Sequence, residues 1–385
     1  MTKPTADLTI QSGRILYPNG RIKHPGSIAI KGDRIIAVGP TVHEEFGGAT
    51  LHLNFPNALM VPGLIDFHAH PSPAGWFAGI DPEEHILGRG TTTVLSQGDP
   101  SCDTWQTYRE DMQGSKRLRI KEAISPVTGP SFAQSGNAEN LDNIDIEACV
   151  SAVKNGKEYI WGISVNVMVQ VTGASNPKKI LKKVLDIAEK TELPLLFGSR
   201  REPSDWPLAD QLEWLRPGDV LTYCLHPGTE TGDESIVKDG TIVDAVWKAQ
   251  EKGILFDIGH GMKSFDFGVA EAAIAQRFMP DTISTDIQHR YAGYKPIHDM
   301  PSVISKLIAS GMTEVEALER STIRPAKALH LEGEIGSLEP GKYADVTLLE
   351  WDDENRMMDD CFGSSRSGGY FKPIMTIKGG KTVSP

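Results

Sequence analysis

A chain of 385 residues exceeds the usual span of one domain. It has room for one large α/β barrel, roughly 250 residues, and a smaller unit beside it. Hydrophobic residues at 39% and charged residues at 23% give an ordinary globular composition, and a formal net charge of −12 argues against nucleic acid or an anionic membrane surface as partner. The cysteines, Cys102, Cys149, Cys224 and Cys361, form no Cys-x-x-Cys pair, so neither a disulfide framework nor a zinc knuckle is expected. The N-terminus MTKPTADLTIQSGRIL has no apolar signal core, and no uncharged apolar run approaches the ~18 residues of a membrane span. The expected setting is cytoplasmic.

In chain order, residues 1–57 read as short strands separated by turns: LTIQSGRIL, SIAIKGDRIIAVG and ATLHL, with no helix. From 58 onward, eight strand-like runs follow one another: ALMVPGLIDFHAH, TTTVLSQG, RIKEAISPVTG, YIWGISVNVMVQVTG, LPLLFGS, DVLTYCLHPG, ILFDIGHG and DTISTDIQH. Amphipathic stretches such as PKKILKKVLDIAEK, IVDAVWKAQEKG and FGVAEAAIAQRF lie between them. Within the first of these, Lys178-Lys179 and Lys182-Lys183 read as a solvated face. Near the end, ADVTLLEW and PIMTIKGGKTV are again strand-like, after the turn GSLEPGKY.

Eight βα units in series predict a (β/α)8 TIM barrel over 58–334. The two β-rich ends, 1–57 plus 335–385, are expected to meet as a small β-sandwich. The alternative, an open doubly wound sheet, calls for a Gly-rich phosphate turn that the chain lacks.

Barrel enzymes carry their chemistry at the C-terminal ends of the strands. Polar residues recur there: His68 and His70 on the first strand, Tyr223 and His226 on the sixth, Asp257 and His260 on the seventh, Asp286 and His289 on the eighth. In DFHAH, residues i and i+2 share a face of the strand, so His68 and His70 can turn inward together and hold one metal. Imidazole suits Zn2+ or a related divalent ion.

PGLIDFHAH resembles the first-strand signature of the amidohydrolase superfamily, the dihydroorotase, hydantoinase and deacetylase relatives. STDIQH resembles its eighth-strand Asp. IKGDRIIAVG and RPAKALHLEGEIGSLEPGKYADVTLLE resemble its entry to and exit from the barrel. FDIGHGMKSFDF and LRPGDVLTYC look closest to a deacetylase-like, acyl-ester-cleaving branch.

The resemblance implies a metal-activated water attacking a carbonyl, with His68, His70 and Asp286 as metal ligands and Asp286 also as the proton-shuttling base. It also exposes departures. The bridging Lys of binuclear members is matched by Ser164, the fifth-strand His by Gly198 and the sixth-strand His by Tyr223. The expected site is therefore mononuclear, with Zn2+ or another divalent metal at one per chain.

Other residues have competing readings. His226 is a candidate fourth ligand. Tyr223 either binds the metal, hydrogen-bonds the oxyanion or is a packed barrel-mouth tyrosine. His260 is a catalytic or substrate contact, or a loop histidine bonded to backbone, and His289 a similar substrate contact. Arg200 and Arg201, past the fifth strand, suit a substrate carboxylate or a rim salt bridge. Trp76, Phe77, Tyr291 and Tyr294 either line an apolar pocket or pack at a subunit contact.

The expected function is hydrolysis of an amide (cyclic or N-acyl) or ester bond in a small molecule, by a homo-oligomer. The alternatives are a metal-poor ligand-binding pseudoenzyme and a non-hydrolytic lyase or deaminase on the same scaffold.

Overall fold

The structure is a computed structural model, describing residues 5–72, 78–112, 117–129, 137–201, 203, 205–229, 232–293 and 297–383. Of the aromatic residues named above, Trp76, Phe77 and Tyr294 lie outside these residues.

Seven parallel strands form the inner sheet in chain order: Leu64–Ala69, Thr91–Ser101, Arg119–Ser125, Ile160–Asn166, Leu195–Gly198, Val220–Thr222 and Leu255–Phe256. Residues 282–287 close the ring as the eighth member. They bridge in parallel to Asp257 on one side and Ala69 on the other, with Asp286 N–H donating to His68 O and His70 N–H to Ile287 O. The barrel is filled by large apolar side chains, as Phe67 meets Trp161 edge to face across it at 5.2 Å.

The outer helices follow the expected period. Pro177–Thr191 starts on Asn176, whose side chain accepts the Lys178 N–H, with Pro177 in the first turn. It buries Ile180, Leu181, Val184, Ile187 and Ala188, a stripe at helical spacing. Burial of each large aliphatic of that stripe contributes roughly 1.5–3 kcal/mol. Lys178, Lys179 and Lys182 stay exposed on the far side.

The two chain ends do meet, in one eight-stranded sheet. Leu8–Leu16 pairs in parallel with Leu51–Pro62, which pairs antiparallel with Val346–Asp359. Ile10, Ile28, Met60, Leu348 and Ile377 fill its core. Residues 1–57 are not wholly without helix, since Val42–Glu45 makes one short turn.

The C-terminal hairpin, Val346–Asp359 and Ser365–Lys378, reaches beyond this sheet. Its tip crosses to the barrel mouth, where Cys361 N–H donates to Phe265 O at 3.0 Å and Phe362 meets the His226 ring at 5.3 Å. Part of the segment 335–385 therefore packs on the barrel.

Candidate metal centre

His68, His70 and Asp286 converge at the C-terminal mouth of the barrel. One ligand atom from each lies within 4.8 Å of the others, and all three residues are buried. Nε2 of His70 is 3.1 Å and Nε2 of His68 is 3.4 Å from Oδ1 of Asp286.

The ring orientations are set by what stands behind them. Nδ1 of His70 donates to Asp99 Oδ1 at 2.8 Å. Thr222 Oγ1 gives its one proton to Asp257 Oδ2 at 2.7 Å, so it must accept the Nδ1–H of His68 at 2.8 Å. Asp257 is held in turn by Thr282 Oγ1 at 2.6 Å and Ser284 Oγ at 2.8 Å. Both imidazoles thereby have Nδ1 engaged from behind and Nε2 turned to the shared centre, the orientation that ligating histidines need.

Asp66 ties the two ligand-bearing segments together beneath the site. Its carboxyl accepts the N–H and O–H of Thr285 and the N–H of His68. Burial pushes its pKa up to about 7 against those bonds.

Burial opposes charge on both imidazoles, but the carboxylates prevail. Asp286 and Asp257 bring His68 up to about 9, and Asp99 and Asp286 bring His70 up to about 10. Burial would raise Asp286, yet the two histidines hold its carboxyl well below the usual range. Three carboxylates facing two imidazoles favour positive charge at this point. Two Nε2 atoms aimed at one point, whose protons a metal would displace, one carboxylate oxygen and this excess of negative charge fit a divalent cation.

The positions that depart from the binuclear pattern are filled by other side chains. Ser164 Oγ accepts from Gln97 Nε2 at 2.9 Å. A Cβ at Gly198 would lie 2.9 Å from Asn166 Cγ, so the Asn166 amide covers that strand end. Tyr223 lies against His68 with its hydroxyl 3.4 Å from Nε2 and its ring under the Arg201 guanidinium at 4.4 Å. Among the described residues, no other His, Cys, Asp or Glu joins the group of three.

A pocket of about 490 Å3 opens over the centre, lined by His70, Asp286, Gln97, Asn166, Tyr223 and Arg201 among others. Lys263 and Arg290 add two cations to its wall, and Asp286 is its one acid among the described residues.

The other sequence-predicted residues divide. Arg201 stands in this pocket, donating to Ser264 Oγ at 2.8 Å. Its neighbour Arg200 does not. It turns away, pairs bidentately with Asp205 at 2.9 Å and donates to Thr172 Oγ1 at 2.9 Å, so the rim salt bridge is the reading the geometry gives it.

His226 lines the pocket but is not brought to the ligand group. Its Nδ1 accepts the Gly228 N–H at 2.8 Å, and burial, then Arg201, push its pKa down to about 3. His260 is held outside the pocket: Nδ1 donates to Gly261 O at 2.6 Å and the ring stacks on Phe265 at 4.6 Å. His289 is also absent from the lining. Its N–H donates to Ala78 O, while its neighbours Gln288 and Arg290 face the pocket. Tyr291 does line it, with its hydroxyl on the Asp286 carbonyl. Asp99 and Thr222 were not singled out as site residues. Asp99 lies within the second barrel strand, Thr91–Ser101, near its C-terminal end.

A barrel with two histidines and an aspartate converging at its mouth, beside a β unit from both chain ends, has the architecture of barrel hydrolases that hold a metal there. Comparison with known proteins agrees. The amidohydrolase family model matches residues 268–383. Over 380 residues the chain is 31% identical to a deacetylase of Enterococcus faecalis, covering 97% of this chain and 98% of that one. Among solved structures, an adenine deaminase superposes with a TM-score of 0.87 at 27% identity, covering 99% of this chain and 100% of that one. A dihydroorotase gives 0.86 at 26%, covering 98% and 97%. The chain belongs to the amidohydrolase family.

Proposed function

We propose that the chain hydrolyses an amide or ester of a small acylated substrate, with one divalent metal, Zn2+ or a related ion, held by His68, His70 and Asp286. The observation that carries this reading is the convergence of those three residues while Ser164, Asn166 over Gly198, and Tyr223 occupy the remaining positions. Such a cation supplies the charge that acidifies a water and polarises the scissile carbonyl. His226, turned onto Gly228, is not needed as a ligand.

The chain's own groups do the rest. Asp99 and the Thr222–Asp257 pair keep His68 and His70 aimed at the centre. Asp286 takes the proton of the attacking water at its carboxylate and returns it to the leaving nitrogen or oxygen. The Tyr223 hydroxyl donates to the developing oxyanion where a second metal or a His would otherwise stand. Arg201, in a pocket that Lys263 and Arg290 also line, receives an anionic group of the substrate.

The similarity to a deacetylase over nearly its whole length supports N-acyl or O-acyl cleavage. The similarity in shape to an adenine deaminase keeps deamination as the second reading, since deamination and N-acyl hydrolysis both cleave a C–N bond with water. The deciding experiment is turnover by the metal-loaded protein of N-acetyl amino acids, acetylated hydroxy acids and adenine side by side. Acyl hydrolysis lost in His70→Ala supports the proposal. Activity on adenine alone selects the second reading, and no turnover on any of them refutes both.

A further inference from the structure

A second cavity, about 900 Å3, lies beside the metal pocket, between the barrel mouth and the inner face of the C-terminal hairpin. Met262 and Tyr291 line both spaces. The Tyr291 hydroxyl donates to the Asp286 carbonyl, which holds that shared side chain in place.

The polar lining of the second cavity includes a Lys306–His260 pair, with Nζ 3.0 Å from Nε2, and two carboxylates, Asp359 and Asp360. Because the His260 Nδ1–H is engaged by the Gly261 carbonyl, Nε2 is the acceptor and the Lys306 ammonium the donor. The other cations of the lining already have carboxylates. Arg89 pairs with Asp299 at 2.7 Å, and Arg356 and Lys372 pair with Asp352 at 2.8 and 2.5 Å. Among the described residues no ion pair includes Lys306. Burial lowers its pKa, while Cys361, Asp359 and Asp360 act in the opposite direction. A half-buried ammonium held by one neutral imidazole would be stabilised by an anion.

The rim is apolar. Six large hydrophobic side chains are exposed among the described residues, and three of them, Met262, Ile297 and Met357, line this one cavity. Apolar exposure gathered around a concave space that holds an ammonium outside any ion pair is the pattern of a ligand site, not of scattered surface residues.

We propose that this cavity is a second small-molecule site that takes an amphipathic carboxylate, its head paired with Lys306 and its apolar body lying along Ile297, Met262 and Met357. Lys306 lines this cavity and not the metal pocket, so binding here does not depend on the hydrolase reading.

The test is calorimetric titration of the metal-loaded full-length protein with octanoate, with inorganic phosphate as a head-only probe and 1-octanol as a tail-only probe. Octanoate should bind saturably at one per chain and more tightly than either partial probe. Lys306→Met should weaken it about tenfold, the loss of one charge-assisted contact. Ile297→Asn, on the exposed rim where folding is not at stake, should weaken it as well. Absence of saturable octanoate binding, phosphate or octanol binding as tightly as octanoate, or unchanged affinity in either variant overturns the proposal. The readout needs no turnover, so an inactive hydrolase does not affect it.

Discussion

The hydroxyl of Tyr223 stands 3.4 Å from Nε2 of His68, and the residue adopts a left-handed backbone, φ 66°, to put it there. Asp286, across the same centre, is left-handed too, with φ 51°. Such conformations in non-glycine residues cost of order 1–3 kcal/mol each and persist only where the surroundings enforce them. Two of them facing one pair of imidazoles single out this point of the barrel as the place where side-chain aim outweighs backbone ease.

Tyr223→Phe keeps the ring against His68 and Arg201 and removes only the hydroxyl. With Tyr223 as the oxyanion donor, kcat for acyl hydrolysis should fall by about 10²–10³-fold with KM nearly unchanged. Steady-state kinetics on a single substrate are enough. An unchanged kcat would leave Tyr223 as a packing residue.

Asp99 touches no substrate in this arrangement and acts through His70 Nδ1. Asp99→Asn leaves the shape and weakens the hold on the imidazole, so metal affinity should drop roughly 10–100-fold. Competition with a chelating dye measures it directly, apart from any effect on turnover.

Gly261 has φ 45°, and a Cβ there would lie 2.5 Å from Asp286 Oδ2. Gly261→Ala should therefore displace the carboxylate and reduce kcat. Gly240 also has a positive φ, 75°, with nothing within 4 Å of its Cβ position. Gly240→Ala pays the backbone strain alone, so it should lower Tm while leaving kcat intact. Equal kinetic losses in both variants would show that strain, and not displacement of Asp286, is the cause.

Arg201→Met retains much of the side-chain volume and removes the charge. For substrates bearing a carboxylate, kcat/KM should fall about 10–100-fold, the worth of a hydrogen bond to a charged group. Neutral acyl esters should be hydrolysed as before. A loss common to both classes would make Arg201 a support for Tyr223 rather than a substrate contact.

Much of this was legible in the chain because it is local. Alternating strands and helices, the stripe Ile180, Leu181, Val184, Ile187 and Ala188, and the spacing of His68 and His70 all lie within a few residues. What was not legible depends on register and on which way a chain turns. Arg200 and Arg201 are adjacent and chemically equivalent in the sequence, and only the path after the fifth strand sends one to Asp205 and the other into the pocket. Asp99 reaches His70 through the pairing of the first two strands, whose register shifts between Asp66 and Ala69. The passage of the hairpin tip to His226 joins residues more than a hundred positions apart, and His260 was drawn away by Lys306 on a later helix.

On the proposed function, a single metal is held by His68, His70 and Asp286. The most direct measurement is metal content per chain by elemental mass spectrometry after dialysis, on the wild type and on His68→Ala, His70→Ala and Asp286→Ala. The expected result is one equivalent of Zn2+ or another divalent ion in the wild type and a large loss in each variant. Two equivalents in the wild type, none at all, or one retained equally in all three variants would contradict it.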